Sequence, residues 1–127
     1  MRILLTGASG QLGRALRPGL ERLGTVAAPA RTALDLARAA DIERGLDAAR
    51  PELIVNTGAF TDVDGAEGAA EPAQAVNGEA PGVIGGWAAR AGAAVIHIST
   101  DYVFDGTGSQ PLTEADAPNP IGVYGTT

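Results

Sequence analysis

Residues 2–13 read RILLTGASGQLG, an apolar run that ends in Thr-Gly and passes directly into an amphipathic segment. The run Arg2–Thr6 predicts a buried strand, and leucines at positions 12, 16, 20 and 23 have helical spacing. Glycines stand at 7, 10 and 13, between the predicted strand and the predicted helix. At such a turn the first glycine permits the tight bend, the second admits a pyrophosphate, and the third lets helix and sheet pack closely.

This glycine loop predicts a dinucleotide site. A helix N-terminus that follows such a loop offers free N–H groups and the positive end of its dipole to phosphates. Glycine is abundant here, with 18 residues in 127, so the triplet alone is a weak signal. Its place between strand and helix favours a cofactor loop over a ligand-free turn.

Strands and helices are predicted to alternate along the rest of the chain. Strands are expected at 25–28, 33–36 (short), 53–56 and 93–99, and a loop at 101–120. Helices are expected at 41–50 with Asp41 as N-cap, over most of 64–91, and at 121–127 with Pro120 at N1. The alternation predicts an α/β fold, a Rossmann-like doubly wound parallel sheet, with residues 1–127 as one domain.

Composition and charge exclude several functional classes. The formal net charge of −6 and the lack of a basic run argue against a nucleic-acid partner. No apolar stretch approaches the ~20 residues of a membrane helix, and Met1 leads straight into the first strand, so a cytoplasmic protein is expected. With no cysteine and one histidine, His97, no metal site is predicted; the acids at 62, 64 and 67 suggest a solvated helix start. His97 is interpreted as a sheet-face histidine, and Trp87 as covering the sheet.

The end of the second strand is where nucleotide choice is read. An acid there would bind a ribose 2′-OH and favour NADH, whereas an arginine suits the 2′-phosphate of NADPH. Residues 28–31 read APAR, without an acid, so Arg31 favours NADPH; the alternative is a solvated surface charge. Asp35 is a candidate for contact with the adenine end.

Two hydroxyl groups are candidates for carbonyl chemistry. Reduction needs a hydrogen-bond donor at the carbonyl oxygen and a proton source within reach. Thr100, at the end of the last predicted strand, suits the first role, and Tyr124 suits the second; the alternatives are a loop cap and a partly exposed loop aromatic. In a Tyr-x-x-x-Lys helix the lysine lies one turn beyond the tyrosine, and here that position would be the residue after Thr127.

Four sequence strings together resemble the dTDP-4-dehydrorhamnose reductase family of extended short-chain dehydrogenase/reductases. They are TGASGQLG at 6–13, VNTGAFTDVDGAE at 55–67, ISTDYVFDG at 98–106 and PIGVYG at 120–125. The likeness runs in order along the whole chain, and STDYVFDG is a specific string. Gly58, Phe60 and Gly65 depart from the family's usual alanine, tyrosine and lysine.

The resemblance implies reduction of the 4-keto group of dTDP-6-deoxy-L-lyxo-4-hexulose to dTDP-L-rhamnose with NADPH or NADH. Thr100 and Tyr124 are then catalytic, and Asp101 and Val103 approach the sugar nucleotide. The implied cofactor-binding residues are Gly7, Gly10, Gln11, Leu12, Gly13, Arg31, Asp35, Leu36, Thr57, Gly58, Ala59 and Thr61.

A family member is roughly twice as long, so the sheet is expected to stop after about its fifth strand, without the lysine or the C-terminal substrate domain. The edge of the last strand should then be exposed and prone to pair with another chain, giving a homo-oligomer. Two other functions stay open: a non-catalytic nucleotide-binding or regulatory relative, and a sugar-nucleotide epimerase or dehydratase on the same fold.

Overall fold

A computed structural model describes residues 1–127 as a four-stranded parallel sheet with helices on both faces. The strands are β1 (Arg2–Thr6), β2 (Thr25–Ala27), β3 (Leu53–Asn56) and β4 (Ala94–His97), in the order β2-β1-β3-β4. The helices are α1 (Gln11–Glu21), α2 (Ala39–Ala49), α3 (Val63–Ala66), α4 (Ala70–Gln74), α5 (Ala80–Ala91) and α6 (Val123–Thr126). A π-helical turn (Ala75–Glu79) joins α4 to α5, and a 3₁₀ turn (Asp101–Val103) follows β4. The predicted α/β Rossmann-like class is confirmed.

Alternate residues of the central strands build two cores, one on each face of the sheet. On one face Leu4 and Ile54 pack in a cluster with residues of α2 and α5, among them Trp87. Trp87 is 8% exposed and its Nε1 donates to Asp47 Oδ1 at 2.7 Å, so the prediction that it covers the sheet is confirmed. On the other face Ile3, Leu5 and Val55 are buried, with Leu16 and Leu20 of α1 packed against them.

The short strand expected at 33–36 does not form. This stretch is a series of turns, and Asp35 Oδ1 accepts a hydrogen bond from the backbone N–H of Ala37 at 3.0 Å. Leu34 is 5% exposed and belongs to the α2–α5 core. The apolar residues at 33–36 therefore reflect one leucine that is buried from a turn, and they do not indicate a strand. The Asp35 side chain bonds to the backbone of this turn, as short polar side chains commonly do.

Three helix boundaries also differ from the sequence-based expectation. The segment 64–91 is divided among α3, α4, the π-helical turn and α5. α2 begins two residues before Asp41, which lies in its first turn and accepts from Arg44 Nη2 at 2.8 Å. α6 begins at Val123 with Gly122 as its N-cap, so Pro120 lies outside the helix.

β4 is an edge strand with all four of its residues exposed, as expected. Val95 and Ile96 are 38% and 50% exposed, and Ile98 just beyond the strand is 44% exposed. Association through this edge stays a prediction. None of the helices is both long enough and apolar enough to cross a membrane.

Candidate functional site

The carboxyl ends of β1, β3 and β4 open into one cleft of roughly 1270 Å³. This is where parallel α/β sheets bind ligands, at the point where the connections from neighbouring strands leave towards opposite faces of the sheet. Most residues predicted for the site line it: Gly7, Gly10, Gln11, Leu12, Arg31, Asp35, Leu36, Thr57, Gly58, Ala59, Thr61, Thr100, Val103 and Tyr124. Gly13 and Asp101 do not. Gly13 is buried beneath the loop, in the packing position that its spacing predicts.

The glycine loop lies with its backbone directly against the loop that follows β3. Gly7 has φ = +65°, and a Cβ there would stand 2.6 Å from the backbone nitrogen of Gly58. A Cβ on Gly13 would overlap the carbonyl oxygen of Gly7. Only residues without side chains satisfy both contacts, so these glycines fix the floor of the cleft.

Backbone donors without partners lie at the start of α1, where Gly10, Gln11 and Leu12 line the cleft. The Gly10 N–H donates to Gly7 O at 2.9 Å, whereas the N–H groups of Gln11, Leu12 and Gly13 make no hydrogen bond within the protein. α1 has no side-chain cap and no acidic residue in its first turn. Free N–H groups at a helix N-terminus without a competing carboxylate suit a dinucleotide pyrophosphate.

A polar chain crosses the ends of three strands beneath the cleft. The Thr6 hydroxyl donates to Asn56 Oδ1, and Asn56 Nδ2 lies 3.0 Å from His97 Nδ1. Thr6 and Asn56 are 3% and 1% exposed, and the three residues are register partners on one face. Because the Asn56 amide nitrogen can only donate, the neutral His97 ring carries its hydrogen on Nε2. His97 is thus a bonded sheet-face residue, as interpreted, that also lines the cleft.

The rim at the end of β2 carries the residues predicted to choose the nucleotide. The Arg31 side chain is 82% exposed, and its Nε lies 3.6 Å from Asp35 Oδ1. A long, solvated ion pair of this kind contributes little to stability, so the guanidinium is free to reach a ligand. Leu36 extends towards Gly58, where an added Cβ would overlap its Cδ1.

Asn77 holds the loop after β3 in place. Its Oδ1 accepts from the Phe60 N–H at 2.8 Å, and its Nδ2 donates to the Phe60 carbonyl at 3.0 Å. Nearby, the Thr57 hydroxyl donates to the Thr6 carbonyl at 2.7 Å. Asn77 lies in the π-helical turn, a feature that is frequent at functional sites. Sequence reasoning missed Asn77, because no local pattern marks a π-helical turn in this alanine-rich segment.

Thr100 forms the N-terminus of the 3₁₀ turn that follows β4. Its Oγ1 accepts from the Tyr102 N–H at 3.2 Å and lies 3.4 Å from Asp101 Oδ1. Thr100 therefore caps this turn, which is the alternative role predicted for it, and it also lines the cleft. Asp101 is exposed outside the cleft lining, while Val103 lies within it.

Tyr124 reaches the cleft from α6, which packs on the 3₁₀ turn. The rings of Tyr102 and Tyr124 meet edge to face with centroids 5.4 Å apart. A Cβ on Gly125 would overlap the Tyr102 carbonyl, so this glycine permits the close approach. Tyr124 is partly buried, and Thr100 lines the same cleft.

Of the acids at 62, 64 and 67, Asp62 and Glu67 make hydrogen bonds to different segments, and no group of residues in the chain has the arrangement of a metal site. Asp62 caps α3 by accepting from the Gly65 N–H at 2.9 Å, which agrees with the predicted helix start. Glu67 Oε1 instead accepts from the Val123 N–H, at the start of α6.

Asp105 closes the base of the loop that leads to α6. It accepts from the Thr107 N–H at 3.0 Å and from Asn119 Nδ2 at 2.8 Å, while the Asn119 N–H donates to Val103 O. The hydrogen bond from the Thr107 backbone, and then those from the Asn119 and Thr107 side chains, lower the pKa of Asp105 below its usual range. The loop is therefore held by a charged carboxylate.

Comparisons with known proteins give a consistent family. The protein-family model described as RmlD substrate binding domain matches residues 1–127. A dTDP-4-dehydrorhamnose reductase from Burkholderia thailandensis is 46% identical over 125 residues, which are 98% of this chain and 42% of that protein. The crystal structure of such a reductase from Clostridium acetobutylicum has a TM-score of 0.94 at 35% identity, covering 99% of this chain and 45% of that one.

A third relative carries a ligand. The dTDP-4-dehydrorhamnose reductase of Bacillus anthracis, solved in complex with NADP, has a TM-score of 0.91 at 31% identity, covering 98% of this chain and 45% of that one. The chain thus spans less than half the length of these relatives. Because the family model matches from the first residue to the last, the chain belongs to the RmlD substrate binding domain family.

Proposed function

We propose that these residues form the cofactor half of an NADPH-dependent keto-sugar reductase. Its reaction would be reduction of the 4-keto group of dTDP-6-deoxy-L-lyxo-4-hexulose to dTDP-L-rhamnose. The observation that carries the proposal is one cleft lined by unpaired N–H donors at one end and by Thr100 and Tyr124 at the other. Relatives of this family bear the name of that reaction.

The cleft fits an NADP-type dinucleotide. The N–H groups at the start of α1 would hold its pyrophosphate, and the Arg31 guanidinium would pair with its 2′-phosphate. Asp35 and Leu36 would border the adenine end, and residues 57–61 would run along the ribose and nicotinamide. The Bacillus anthracis relative was solved with NADP, which supports this choice over NADH.

Thr100 and Tyr124 would act on the sugar carbonyl. Bound NADPH supplies a hydride to a carbonyl carbon. As the new C–H bond forms at C4 of the sugar and the C=O π bond breaks, negative charge would grow on the carbonyl oxygen. The Thr100 hydroxyl would stabilise this charge by donating a hydrogen bond to the oxygen. The Tyr124 hydroxyl would give its proton to that oxygen and complete the alcohol. Asp101 and Val103, beside Thr100, would border the nucleotide sugar.

The direct test is oxidation of NADPH by the whole gene product in the presence of the dTDP-4-keto sugar. The proposal predicts one NADPH consumed for each dTDP-L-rhamnose formed. Binding of NADPH without turnover would indicate the non-catalytic, nucleotide-binding alternative instead. Turnover that leaves the 4-keto group intact and inverts or dehydrates the sugar would indicate a different enzyme on this fold.

A further inference from the structure

Tyr124 is the second residue of α6, whose first turn follows the loop 104–122. Two backbone hydrogen bonds form this turn, from the Thr126 N–H to Gly122 O (3.1 Å) and from the Thr127 N–H to Val123 O (3.0 Å). The first N–H groups of a helix have no partner within the helix, so groups from other segments must satisfy them. The position of Tyr124 therefore depends on what other segments contact α6.

The first of these contacts is made by Glu67. Its Oε1 accepts from the backbone N–H of Val123 at 2.8 Å, across 56 residues of sequence. Val123 is the first residue of α6, whose N-cap, Gly122, makes no side-chain capping bond. A carboxylate at a helix N-terminus both satisfies an orphan N–H and interacts favourably with the helix dipole.

The chain leaves room for this carboxylate. A Cβ added at Gly122 would stand 3.0 Å from Glu67 Oε1, so any side chain there would press on the bond. Glu67 itself is fixed at the end of α3, where its N–H donates to the Asp64 carbonyl at 3.3 Å. None of the five ion pairs of the protein includes Glu67, so its carboxylate has no arginine partner that competes for it.

Other contacts hold further parts of α6, among them the edge-to-face contact between the Tyr102 and Tyr124 rings. Asn77 Nδ2 lies 3.3 Å from the Thr127 hydroxyl, and Gly125 rests against the Tyr102 carbonyl. Among these contacts, only the one made by Glu67 places a charged side chain at the amino end of α6. Loss of the carboxylate would leave the amino end of α6 free to fray while its carboxyl end stays attached.

We propose that Glu67 is a positioning residue for Tyr124, acting by capping α6. This rests on the proposed reductase function, in which Tyr124 supplies the proton. Glu67 does not line the cleft, and its side-chain hydrogen bond goes to Val123, so its removal should impair the chemical step more than NADPH binding. Glu67→Gln keeps a neutral acceptor for the Val123 N–H, so this variant should retain part of the capping of α6.

The test compares Glu67→Ala and Glu67→Gln with Glu71→Ala, which removes a nearby exposed carboxylate that makes no hydrogen bond or ion pair. Amide hydrogen exchange over 123–127 is measured in each whole gene product, with NADPH affinity and kcat alongside. For Glu67→Ala we expect faster exchange in this segment and a kcat about tenfold lower, since a charge-assisted hydrogen bond is lost. NADPH affinity should match that of Glu71→Ala. In exchange rate and kcat, Glu67→Gln should lie between the wild-type protein and Glu67→Ala.

Unchanged exchange at 123–127 in Glu67→Ala would overturn the proposal, whatever the activity. Faster exchange with unchanged kcat would overturn it as well. If the wild-type protein reduces no keto sugar, the proposed function fails; exchange and the environment of the Tyr124 ring, read by NMR, then decide alone. Faster exchange with a displaced ring signal would uphold the positioning role, and an unmoved ring signal would reject it.

Discussion

The rings of Tyr102 and Tyr124 meet edge to face, with centroids 5.4 Å apart and planes inclined at 77°. Tyr102 belongs to the turn that Thr100 caps, and Tyr124 belongs to α6. This contact therefore joins the segments that carry the two proposed catalytic hydroxyls. Edge-to-face aromatic pairs are favourable beyond the area they bury, so the pair helps to fix the geometry of the site.

Replacing Tyr124 by Phe should separate chemistry from structure. The ring contact with Tyr102 is kept, while the proposed proton donor is lost. We expect kcat to fall by about a hundredfold or more, the scale of general acid catalysis. NADPH affinity and the melting temperature should stay at wild-type values, measured by fluorescence titration and calorimetry. A variant that keeps full kcat would remove Tyr124 from the mechanism.

Two glycines of α1 should respond oppositely to alanine. At Gly13 a Cβ would overlap the Gly7 carbonyl, whereas at Gly19 it would meet nothing within 4 Å. We expect Gly13→Ala to lower the free energy of unfolding by about 1–3 kcal/mol and to weaken NADPH binding. Gly19→Ala should raise it by about 0.5–1 kcal/mol, because alanine is the better helix former. Urea unfolding of both variants checks this; equal effects would contradict the packing explanation.

The sequence predicts the parts of the site that depend on neighbours along the chain. The glycine loop, the strand ends and the STDY string are local patterns, and most of the residues predicted from them line the cleft, although Gly13 and Asp101 do not. Glu67 and Asn77 differ, because each acts on a segment far away in sequence, at Val123 and at Phe60. A contact between residues far apart in sequence forms only when the chain folds, so no local sequence pattern predicts it.

Arg31→Ala should discriminate between the two nicotinamide cofactors. A guanidinium that pairs with the 2′-phosphate contributes only to NADPH binding. We expect NADPH affinity to fall about tenfold or more while NADH affinity is unchanged. Arg22→Ala, which removes an exposed arginine that makes no side-chain contact of this kind, is the control. An equal loss for both cofactors, or none for either, would reject the 2′-phosphate role.

The loop closed by Asp105 should open in acid. The pKa of Asp105 is lowered in the folded protein. The stability that its charged carboxylate gives to the loop is therefore present above the ordinary pKa of 3.8, and it is lost as pH falls through the lower pKa of the folded protein. Asp105→Asn should remove this contribution at neutral pH. Amide exchange over 105–119, followed as pH falls from 7, should be faster in the variant at neutral pH, and its difference from wild type should narrow as pH falls below 3.8. Parallel curves across that range would contradict the account.

The exposed edge should make the 127-residue chain associate. An unpaired strand with apolar neighbours is a template for pairing with another chain. We expect association in sedimentation velocity at high concentration, and its loss in Ile96→Lys, which places a charge on β4. Leu23→Lys, at a site 61% exposed beyond α1, should leave association unchanged. A monomeric wild-type chain at high concentration would refute this.

Where the sequence misleads, burial and backbone bonding explain why. Leu34 is apolar because it enters the core from a turn, and Asp35 satisfies that turn. The alanine-rich segment 64–91 has few large side chains, so nothing in its periodicity marks the breaks that the structure shows. Helical propensity is a weak guide there, because tertiary contacts decide where each turn ends.

The central claim is hydride transfer to the sugar C4 at this cleft. NADPH that carries deuterium at its transferable position is supplied with the dTDP-4-keto sugar to the whole gene product, and the product is examined by NMR. We expect dTDP-L-rhamnose with one deuterium at C4 from the wild-type protein, and about a hundredfold less of it from Tyr124→Phe over the same time. A product without deuterium at C4, or no product from the wild-type protein, would contradict it.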